Sequence, residues 1–332
     1  MTHGVVHIPG DGIGPEVTWA ARRVLDATGV EIEWAQAEAG EEVYREHGIT
    51  VPDRTTELIR DVGVALKGPM ANPIGTGYKS PNIALRKAAG VFANVRLANS
   101  FPGAPAPFPA ADLTVIREVT EDVFTGAAQY VGPDAAIAVK YVTRAATHRI
   151  ARFAFDYAKH HGLTRITVAH KAATLKETDG LFLEAVREVG RDHPHVELDD
   201  CLIDALCMHL VRDPSSYQIL LSTFQYGDIL ADLCAGITGG LGLAPGASFG
   251  DRVALFEAAH GSAPKYAGKD KVNPTALILS GALLLDHLAE PAAAERIRSA
   301  VAGVIERGEH TTYDLGGSAG TTEMTDAIIA AL

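Results

Sequence analysis

The fold class is decided by the segment from Gly4 to Thr28, which reads GVVHIPGDGIGPEVTWAARRVLDAT. It starts with the apolar strand-like run Gly4 to Ile8, passes through a turn rich in glycine and proline, and continues as the amphipathic helical pattern Glu16 to Thr28. The alternation continues with strand-like runs at 32–35 and 62–67 and a helix-like run at 54–60. Alternating strands and helices predict an α/β fold, in which helices cover a sheet.

A second βα series begins near Thr114. It comprises helix-like runs at 144–161, 179–190 and 204–211 and strand-like runs at 165–170 and 219–222. The stretch Gly126 to Tyr141 has two halves around Gly132-Pro133-Asp134, which predicts a β-hairpin. The stretches Phe101 to Pro109 and Gly236 to Gly250 are rich in proline, alanine or glycine, so they predict a surface connection and a hinge region made of loops.

Composition narrows the class of protein. The 332 residues are 47% hydrophobic and 21% charged, which is typical of a globular protein with one large or two medium domains. The net charge of -12 disfavours nucleic acid and acidic membrane surfaces as partners. Residues 1–8 lack a secretory pattern, the apolar runs are far shorter than the roughly 20 residues that span a bilayer, and three irregularly spaced cysteines predict no disulfide framework. We therefore expect a cytoplasmic protein without a membrane partner.

The glycine-rich turn Gly10 to Glu16 has two interpretations. It resembles a phosphate-binding loop, because it follows a strand and opens a helix, but its spacing is not that of the dinucleotide fingerprint. It is equally consistent with a tight strand-to-helix turn that has Pro15 in the first helical turn.

Acidic residues form a candidate metal site. Asp228 and Asp232 are four residues apart, so in a helix they share one face, and Asp204 opens another apolar helical run. Oxygen ligands without a cysteine or histidine cluster favour Mg²⁺ or Mn²⁺ over Zn²⁺. The alternative is that these are ordinary helix-capping or salt-bridged aspartates.

Basic and polar residues form a candidate anion site. Ser80, Asn82, Arg86 and Arg96 fall in one segment, and Arg117 follows on a strand-like run. Arginine binds carboxylates in a bidentate manner, so a convergent set would favour a substrate with several carboxylates. Taken singly, each arginine is more typical of a surface position than of a binding site.

Taken together, these motifs resemble the isocitrate/isopropylmalate dehydrogenase family over nearly the whole chain. The matching blocks are Ile8 to Glu16, Ser80 to Arg86, Ile116 to Glu118, His170-Lys171, Tyr226 to Asp232, His260 to Pro264, and Asn273-Pro274. They occur in the family's order.

The resemblance implies an isocitrate/isopropylmalate dehydrogenase-like α/β fold, distinct from the Rossmann fold, with two α/β domains and a central cleft. Residues 1–91 and 239–332 would form the large cofactor-binding domain, and residues 92–238 the small domain, with a dimer clasp near 126–142. The family also implies a homodimer with shared active sites, in which Lys171 and Asp204 serve the neighbouring subunit.

The resemblance further implies metal-dependent oxidative decarboxylation of a 3-carboxylated 2-hydroxy acid. Asp228 and the partner's Asp204 would hold Mg²⁺ or Mn²⁺ with Asp232 close by, and Lys171 would be the base for the hydroxyl proton. The carboxylates would be bound by Arg86, Arg96 and Arg117, and Ser80 and Asn82 would complete the substrate site.

Cofactor-binding residues are also implied by the resemblance. They are Asn72, His260, Gly261, Ser262, Ala263, Lys265, Tyr266, Val272, Asn273 and Tyr313. Lys265, Tyr266, Val272 and Tyr313 are those of NADP-using members, in which a cation and phenols suit the 2′-phosphate. An arginine of those members is replaced by Gly317 here, so NAD remains the alternative.

Several residues depart from the family pattern. Phe124 occupies the position of a tyrosine that donates a proton, Val119 and Ala173 replace asparagines, and Ala71-Asn72-Pro73 replaces Thr-Thr-Pro. The resemblance therefore implies one of three alternatives: a slow isocitrate dehydrogenase, a dehydrogenase for a specialised substrate such as a phosphonate-bearing malate, homoisocitrate or an isopropylmalate analogue, or a non-catalytic regulatory subunit. Ser80 favours an isocitrate-like over an isopropylmalate-like acid, because a small hydroxyl suits a polar arm.

Overall fold

The structure is a computed structural model, which describes residues 2–73 and 80–332. The chain divides into two compact units. We call Met1–Val91, Asn99–Ala110 and Ala235–Leu332 the terminal unit, and Phe92–Ala98 and Ala111–Cys234 the middle unit. The domain boundaries expected from the resemblance stay a prediction.

The elements alternate along much of the chain, as expected for an α/β protein. The strands are β1 (His3–Ile8), β2 (Ile32–Gln36), β3 (Val64–Lys67), β4 (Val91–Asn99), β5 (Asp112–Glu118), β6 (Ala128–Tyr130), β7 (Ala136–Ala138), β8 (Arg165–His170), β9 (Glu197–Leu202), β10 (Ile219–Ser222), β11 (Pro245–Gly250) and β12 (Ala254–Ala258). The helices are α1 (Gly14–Ala27), α2 (Glu41–His47), α3 (Asp53–Val62), α4 (Pro81–Ala89), α5 (Arg144–His160), α6 (Thr178–Gly190), α7 (Ile203–Arg212), α8 (Phe224–Ile237), α9 (Thr275–His287), α10 (Pro291–Arg307) and α11 (Thr321–Ala330). The predicted α/β class is confirmed.

The strands of the terminal unit lie in the order β2-β1-β3-β12-β11. The neighbours are parallel except for β11, which runs antiparallel to β12. Val5, Val17 and Val24 belong to its apolar core, together with nearly the whole of α9. Burial on all sides explains why α9 is apolar around its circumference rather than along one stripe.

The glycine-rich turn after β1 is a packing turn, because its glycines leave no room for side chains. Gly12 has a φ of +60°, and a Cβ atom there would lie 2.0 Å from the carbonyl oxygen of Ser262. The next residue, Ile13, donates its backbone N–H to that same oxygen at 2.9 Å. Helix α1 then begins with proline in its first turn. The interpretation as a tight strand-to-helix turn is therefore supported.

The strands of the middle unit lie in the order β4-β5-β10-β8-β9, and β5, β10, β8 and β9 are parallel. Helices α5 and α6 pack against each other and against this sheet. The carboxyl ends of β5 and β8, and the start of the helix after β10, carry the candidate site residues. Parallel strands end at the same edge of a sheet, which is where ligands bind in α/β proteins.

Two local predictions had opposite outcomes. The predicted hairpin is confirmed, since β6 and β7 pair antiparallel through Gln129 and Ile137. The prediction of loops throughout Gly236 to Gly250 is wrong for its last part, because Pro245–Gly250 forms β11. Glycine is needed there because a Cβ atom on Gly250 would lie 2.5 Å from the carbonyl oxygen of Gly90.

In residues 2–73 and 80–332, every helix is too short or too polar to cross a bilayer.

Candidate active site

Two candidate metal-binding aspartates lie one turn apart on α8 in the middle unit. Arg117 Nη1 donates a hydrogen bond to Asp228 Oδ1. Asp232 stays in contact with solvent, yet the protein atoms around it and the charge of Asp228 raise its pKa, against the lowering influence of Arg117 and Arg96. Both carboxylates therefore lie in a field set by two arginines.

The two arginines come from β4 and β5 and are almost completely buried. Arg117 Nε donates a hydrogen bond to Asn94 Oδ1 at 2.8 Å, and its guanidinium carbon lies 5.3 Å from the ring centre of Phe224. Because the amide and the ring fix the orientation of this side chain, Arg117 is preorganised to bind an anion. The structure thus brings Arg96, Arg117, Asp228 and Asp232 together.

The candidate base lies directly after β8. Lys171 Nζ donates a hydrogen bond to Asp204 Oδ1 at 2.5 Å, and this bond lowers the pKa of Asp204, which is in the first turn of α7. Within the described part of the chain, no group of three or more histidine, cysteine or acidic side chains could hold a metal ion. Asp204 therefore does not complete a metal site with Asp228 and Asp232 of its own chain, and its predicted role in a neighbouring subunit stays a prediction.

In the terminal unit, the remaining substrate residues lie on α4 or at its start. Ser80 is the N-cap residue, and Asn82 and Arg86 are four residues apart on one face. Arg86 Nη2 donates a hydrogen bond to Glu257 Oε1 at 2.6 Å. Among the described residues, Asn82 Oδ1 and Arg86 Nε are buried and have no hydrogen-bond partner. Such atoms are costly to bury, so they are candidates for contact with a ligand.

Sequence reasoning did not find Glu257, which organises this part of the terminal unit. Its carboxylate lies 2.7 Å from Lys67 Nζ and also accepts a hydrogen bond from Ser248 at 3.1 Å. Glu257 is on β12, far from Arg86 and Lys67 in sequence. An acidic residue in an otherwise apolar strand was the available signal, because a buried carboxylate requires partners.

The predicted cofactor segment follows β12. His260 Nδ1 lies 3.1 Å from the carbonyl oxygen of Gly261, Ser262 is buried, and Ala263 has a φ of +35°. The rings of Tyr266 and Tyr313 are stacked with centres 6.2 Å apart, and Lys265 Nζ lies 5.2 Å from the centre of the Tyr266 ring. The structure therefore brings these three predicted residues together.

A second lysine joins this aromatic pair, and sequence reasoning missed it. Lys271 Nζ lies 5.2 Å from the ring centre of Tyr313. Burial and a hydrogen bond with Tyr266 raise the pKa of Tyr313, so the Tyr313 phenol remains a protonated donor. The sequence feature that could have identified Lys271 is the charge-rich run Lys269-Asp270-Lys271 directly before Val272.

The remaining predicted cofactor residues are structurally diverse. Val272 is buried, and Asn273 Nδ2 donates a hydrogen bond to Asp314 Oδ2 at 3.0 Å. Asn72 is exposed next to Ala71, whose backbone N–H donates a hydrogen bond to Asp11 Oδ2 at 2.7 Å. Asp11 thus fixes the backbone that presents Asn72.

Phe124, at the predicted position of the family's tyrosine, lies in the middle unit. Its ring packs edge-to-face on Phe224, with centres 5.1 Å apart, and is 42% exposed. Since the guanidinium of Arg117 lies against Phe224, the apolar pair is adjacent to the candidate anion site. Phe124 has no proton to donate.

Comparison with known proteins gives a consistent result. The sequence model of the family described as Isocitrate/isopropylmalate dehydrogenase matches residues 4–328. The mitochondrial isocitrate dehydrogenase (NAD) catalytic subunit 5 of Arabidopsis thaliana is 45% identical over 321 residues, which cover 96% of this chain and 86% of the relative. The 3-isopropylmalate dehydrogenase of Methanothermobacter thermautotrophicus is 40% identical over 321 residues, which cover 97% and 96%.

Solved structures agree with the sequence comparisons. The crystal structure of isocitrate dehydrogenase from Methylococcus capsulatus superimposes with a TM-score of 0.96 at 44% identity, and the match covers 99% of each chain. The identity is high enough for the likeness to extend beyond the general fold. The chain therefore belongs to the isocitrate/isopropylmalate dehydrogenase family, whose members are decarboxylating dehydrogenases that use NAD(P).

Proposed function

We propose that this chain is a dehydrogenase that oxidises a 3-carboxylated 2-hydroxy acid of the isocitrate type with NADP and releases one carboxyl group as CO₂. The observation that carries the proposal is the arrangement of Arg117 and Asp228. A buried, oriented guanidinium next to an aspartate pair combines an anion site with a cation site. A hydroxy acid that chelates a metal through its hydroxyl and carboxylate requires both.

The donor set suits Mg²⁺ or Mn²⁺. Asp228 and Asp232 offer oxygen ligands from one helix face. Partial burial raises the pKa of Asp232, and so does repulsion from Asp228, which a divalent cation would relieve. Asp204 of a second copy is the proposed third ligand. When bound, the metal would lower the pKa of the substrate hydroxyl and stabilise the negative charge that develops on the substrate, and NADP would accept the hydride.

Lys171 is the proposed base for the hydroxyl proton, which Nζ would accept. An uncharged amine is needed for this step, whereas in the structure Lys171 Nζ donates a hydrogen bond to Asp204 Oδ1 at 2.5 Å. Both side chains are partly exposed, so their contact can separate without leaving a charge buried in an apolar environment. We propose that Asp204 leaves Lys171 before the reaction begins.

The arginines are proposed to bind carboxylates. Arg96 and Arg117 supply guanidinium groups in the middle unit, and Ser80, Asn82 and Arg86 supply further polar groups in the terminal unit. Phe124 cannot protonate the carbon that loses CO₂, so we propose that water or another residue does so. That step would then limit the rate with isocitrate.

NADP is the proposed cofactor because of the cations next to the two phenols. Lys265 and Lys271 lie at the faces of Tyr266 and Tyr313 and would pair with a 2′-phosphate. The plant relative is named as an NAD enzyme, so cofactor preference is a property to be measured on this chain. NAD is the alternative.

The proposed assembly is a homodimer that acts in the cytoplasm. The hairpin carries exposed apolar side chains, among them Tyr130 and Ile137, which a second copy would cover. Among the described residues of one chain, no third acidic, histidine or cysteine side chain completes a metal site with Asp228 and Asp232, and Asp204 of the second copy would supply that ligand. Size-exclusion chromatography with light scattering measures the oligomeric state directly.

The decisive experiment measures reduced nicotinamide by absorbance. The purified chain is incubated with Mg²⁺, NAD or NADP, and a panel of 3-substituted malates that includes isocitrate, homoisocitrate, isopropylmalate and a phosphonate-bearing malate. Turnover of isocitrate with NADP supports the proposal. Turnover of another acid alone supports a specialised substrate, which the replacement at Phe124 favours, and binding without any turnover supports a regulatory subunit.

The cofactor is tested with Lys265→Asp. A carboxylate at this position repels the 2′-phosphate, so kcat/KM for NADP should fall about 10- to 100-fold while the value for NAD changes little. Lys269→Asp is the matched control, because it introduces the same charge in the same segment. An equal loss with both cofactors would contradict a 2′-phosphate contact at Lys265.

A further inference from the structure

The middle unit contains a buried charged cluster that the proposed reaction does not use. We call Asp122, Lys140, Asp179 and Tyr226 the Lys140 cluster. Lys140 Nζ lies 2.7 Å from Asp179 Oδ1, 3.7 Å from Asp122 Oδ1 and 4.3 Å from the ring centre of Tyr226. Both carboxylates are only 1% exposed and the lysine is 14% exposed. One cation is therefore shared between two buried anions.

The cluster continues directly to the proposed base. The second oxygen of Asp179, Oδ2, accepts a hydrogen bond from the backbone N–H of Lys171 at 2.7 Å. Asp179 is in the first turn of α6, where a carboxylate is stabilised by the helix dipole. Lys171 is thus held twice, by Asp179 at its backbone and by Asp204 at its ammonium group. The backbone contact is partly buried, whereas the contact of the ammonium group is exposed.

The same cluster reaches the hairpin. Lys140 is two residues beyond β7, and the residue after it, Tyr141, accepts the backbone N–H of Asp122 at 3.0 Å. Asp122 Oδ2 in turn accepts the backbone N–H of Gln225, at the start of α8, at 2.9 Å. A single buried network therefore connects the end of the hairpin, the end of β8 and the start of the helix with the candidate metal ligands.

A simple structural salt bridge would account for burial but not for this connectivity. Removing Lys140 takes away the cation 2.7 Å from Asp179 Oδ1, which favours turning of the carboxylate toward water or uptake of a proton. Either change weakens the acceptor for the N–H of Lys171. Because Lys171 directly follows the last residue of a strand, its backbone can move there without disturbing the sheet.

We propose that Lys140 is a positioning residue, which orients Asp179 and through it the backbone of Lys171, and so couples the hairpin to the proposed base. This inference rests on the proposed role of Lys171. A hairpin that is fixed by a second copy of the chain would then also fix the lysine, and dimer formation would prepare the site for catalysis.

The test compares Lys140→Met, Lys140→Arg and the control Arg165→Met in the full-length protein. Arg165 is a matched control because it pairs with Asp199 at 2.6 Å at the opposite end of β8. Two quantities are measured for each variant: hydrogen exchange of the Lys171 backbone amide, resolved by NMR or by peptides that cover residues 165–175, and kcat and KM with the best substrate.

For Lys140→Met we expect faster exchange at Lys171 and a kcat that is about 10- to 100-fold lower, as for a misplaced catalytic group. The KM values for substrate and cofactor, and exchange in the rest of β8, should change little. Lys140→Arg should restore most of both losses, and Arg165→Met should affect neither. Where Lys140→Met does not fold, Asp179→Asn keeps an acceptor oxygen without its charge and should show the same pattern more weakly.

Unchanged exchange at Lys171 in Lys140→Met would overturn the inference. A uniform rise of exchange throughout the middle unit would also overturn it, because that result describes a general loss of stability. The exchange experiment needs no turnover. If the wild-type chain is inactive on every acid, the proposed function fails, and the exchange data still decide whether Lys140 positions Lys171.

Discussion

Two lysine–carboxylate pairs of this chain have nearly the same length and opposite surroundings. In the terminal unit, Lys67 Nζ lies 2.7 Å from Glu257 Oε2, and both side chains are 3% exposed. In the middle unit, Lys171 Nζ lies 2.5 Å from Asp204 Oδ1, and the side chains are 29% and 65% exposed. Two ion pairs of similar length can therefore differ in how much they contribute to stability, because solvent exposure weakens the interaction between the charges.

The buried pair belongs to a larger arrangement. Glu257 also accepts a hydrogen bond from Arg86, so its removal would leave two cations without a carboxylate. Water can replace either partner of the exposed pair, so Asp204 can turn to another cation at small cost. We therefore expect Glu257 to act mainly on stability and Lys171 mainly on catalysis.

The largest expected effect is that of Lys171→Met on turnover. Without the base, kcat should fall about 100- to 10,000-fold, while the thermal midpoint remains that of the wild type. Steady-state kinetics and calorimetry measure the two quantities. Lys159→Met, on the exposed last turn of α5, is the control. A wild-type kcat would remove Lys171 from the mechanism, and a large drop in the midpoint would break the comparison between the two pairs.

The next effect is that of Glu257→Gln on stability. The amide has the same shape but no charge, so the free energy of unfolding should fall by about 3–5 kcal/mol, as when a buried ion pair loses one partner. Urea denaturation followed by circular dichroism measures this change. Glu197→Gln on the exposed start of β9 should have almost no effect. A similarly small change at Glu257 would mean that Lys67 and Arg86 do not depend on its charge.

A smaller effect is expected for the pH dependence of Mn²⁺ binding at Asp232 in the middle unit. The pKa of Asp232 is raised above its ordinary value of 3.8 by partial burial and by Asp228. Asp232 should therefore take up a proton at a higher pH than an ordinary aspartate, and Mn²⁺ affinity should already weaken in mildly acidic solution. Calorimetric titrations at several pH values measure this. In Asp232→Asn, binding should be weaker and less dependent on pH, and an unchanged pH profile would exclude Asp232 as the titrating group.

The smallest expected effect is a gain in turnover with isocitrate in the variant Phe124→Tyr. Phe124→Tyr restores a hydroxyl next to the aromatic ring of Phe224, so kcat with isocitrate should rise, by about tenfold or less. Tyr141→Phe is the control, because that phenol already donates a hydrogen bond to the carbonyl oxygen of Thr120 at 3.3 Å. An unchanged rate in Phe124→Tyr would show that water or another group already delivers the proton.

The sequence predicted those elements whose burial leaves a periodic signal. Strand β1 and helix α1 differ in hydrophobic period, and the hairpin has a turn that its residues specify, so all three could be located. Two aspartates four residues apart were sufficient to predict one helix face for Asp228 and Asp232. These inferences depend only on residues that are close in the chain.

The strands and side-chain partners that the sequence did not predict depend on contacts between residues that are distant in the chain. Strand β4 gave no alternation, because most of it is buried on both faces. Strand β11 contains proline and glycine, which are typical of turns. Its last glycine, Gly250, is explained by the packing against Gly90, which is distant in sequence. The partners of Arg86 and Lys171 lie on other elements, and no local pattern predicts that Glu257 and Asp204 face them.

The contact between Gly12 and Ser262 has a consequence for the evolution of cofactor choice. The carbonyl oxygen of Ser262 would lie 2.0 Å from a Cβ atom at Gly12 and accepts the backbone N–H of Ile13 at 2.9 Å, so the glycine-rich turn holds the predicted cofactor segment through its backbone. We therefore expect cofactor preference to be set by side chains of this segment that contact solvent, such as Lys265 and Tyr266. We expect a change of preference between NAD and NADP to need only a few point mutations in this segment and no change in the path of the backbone.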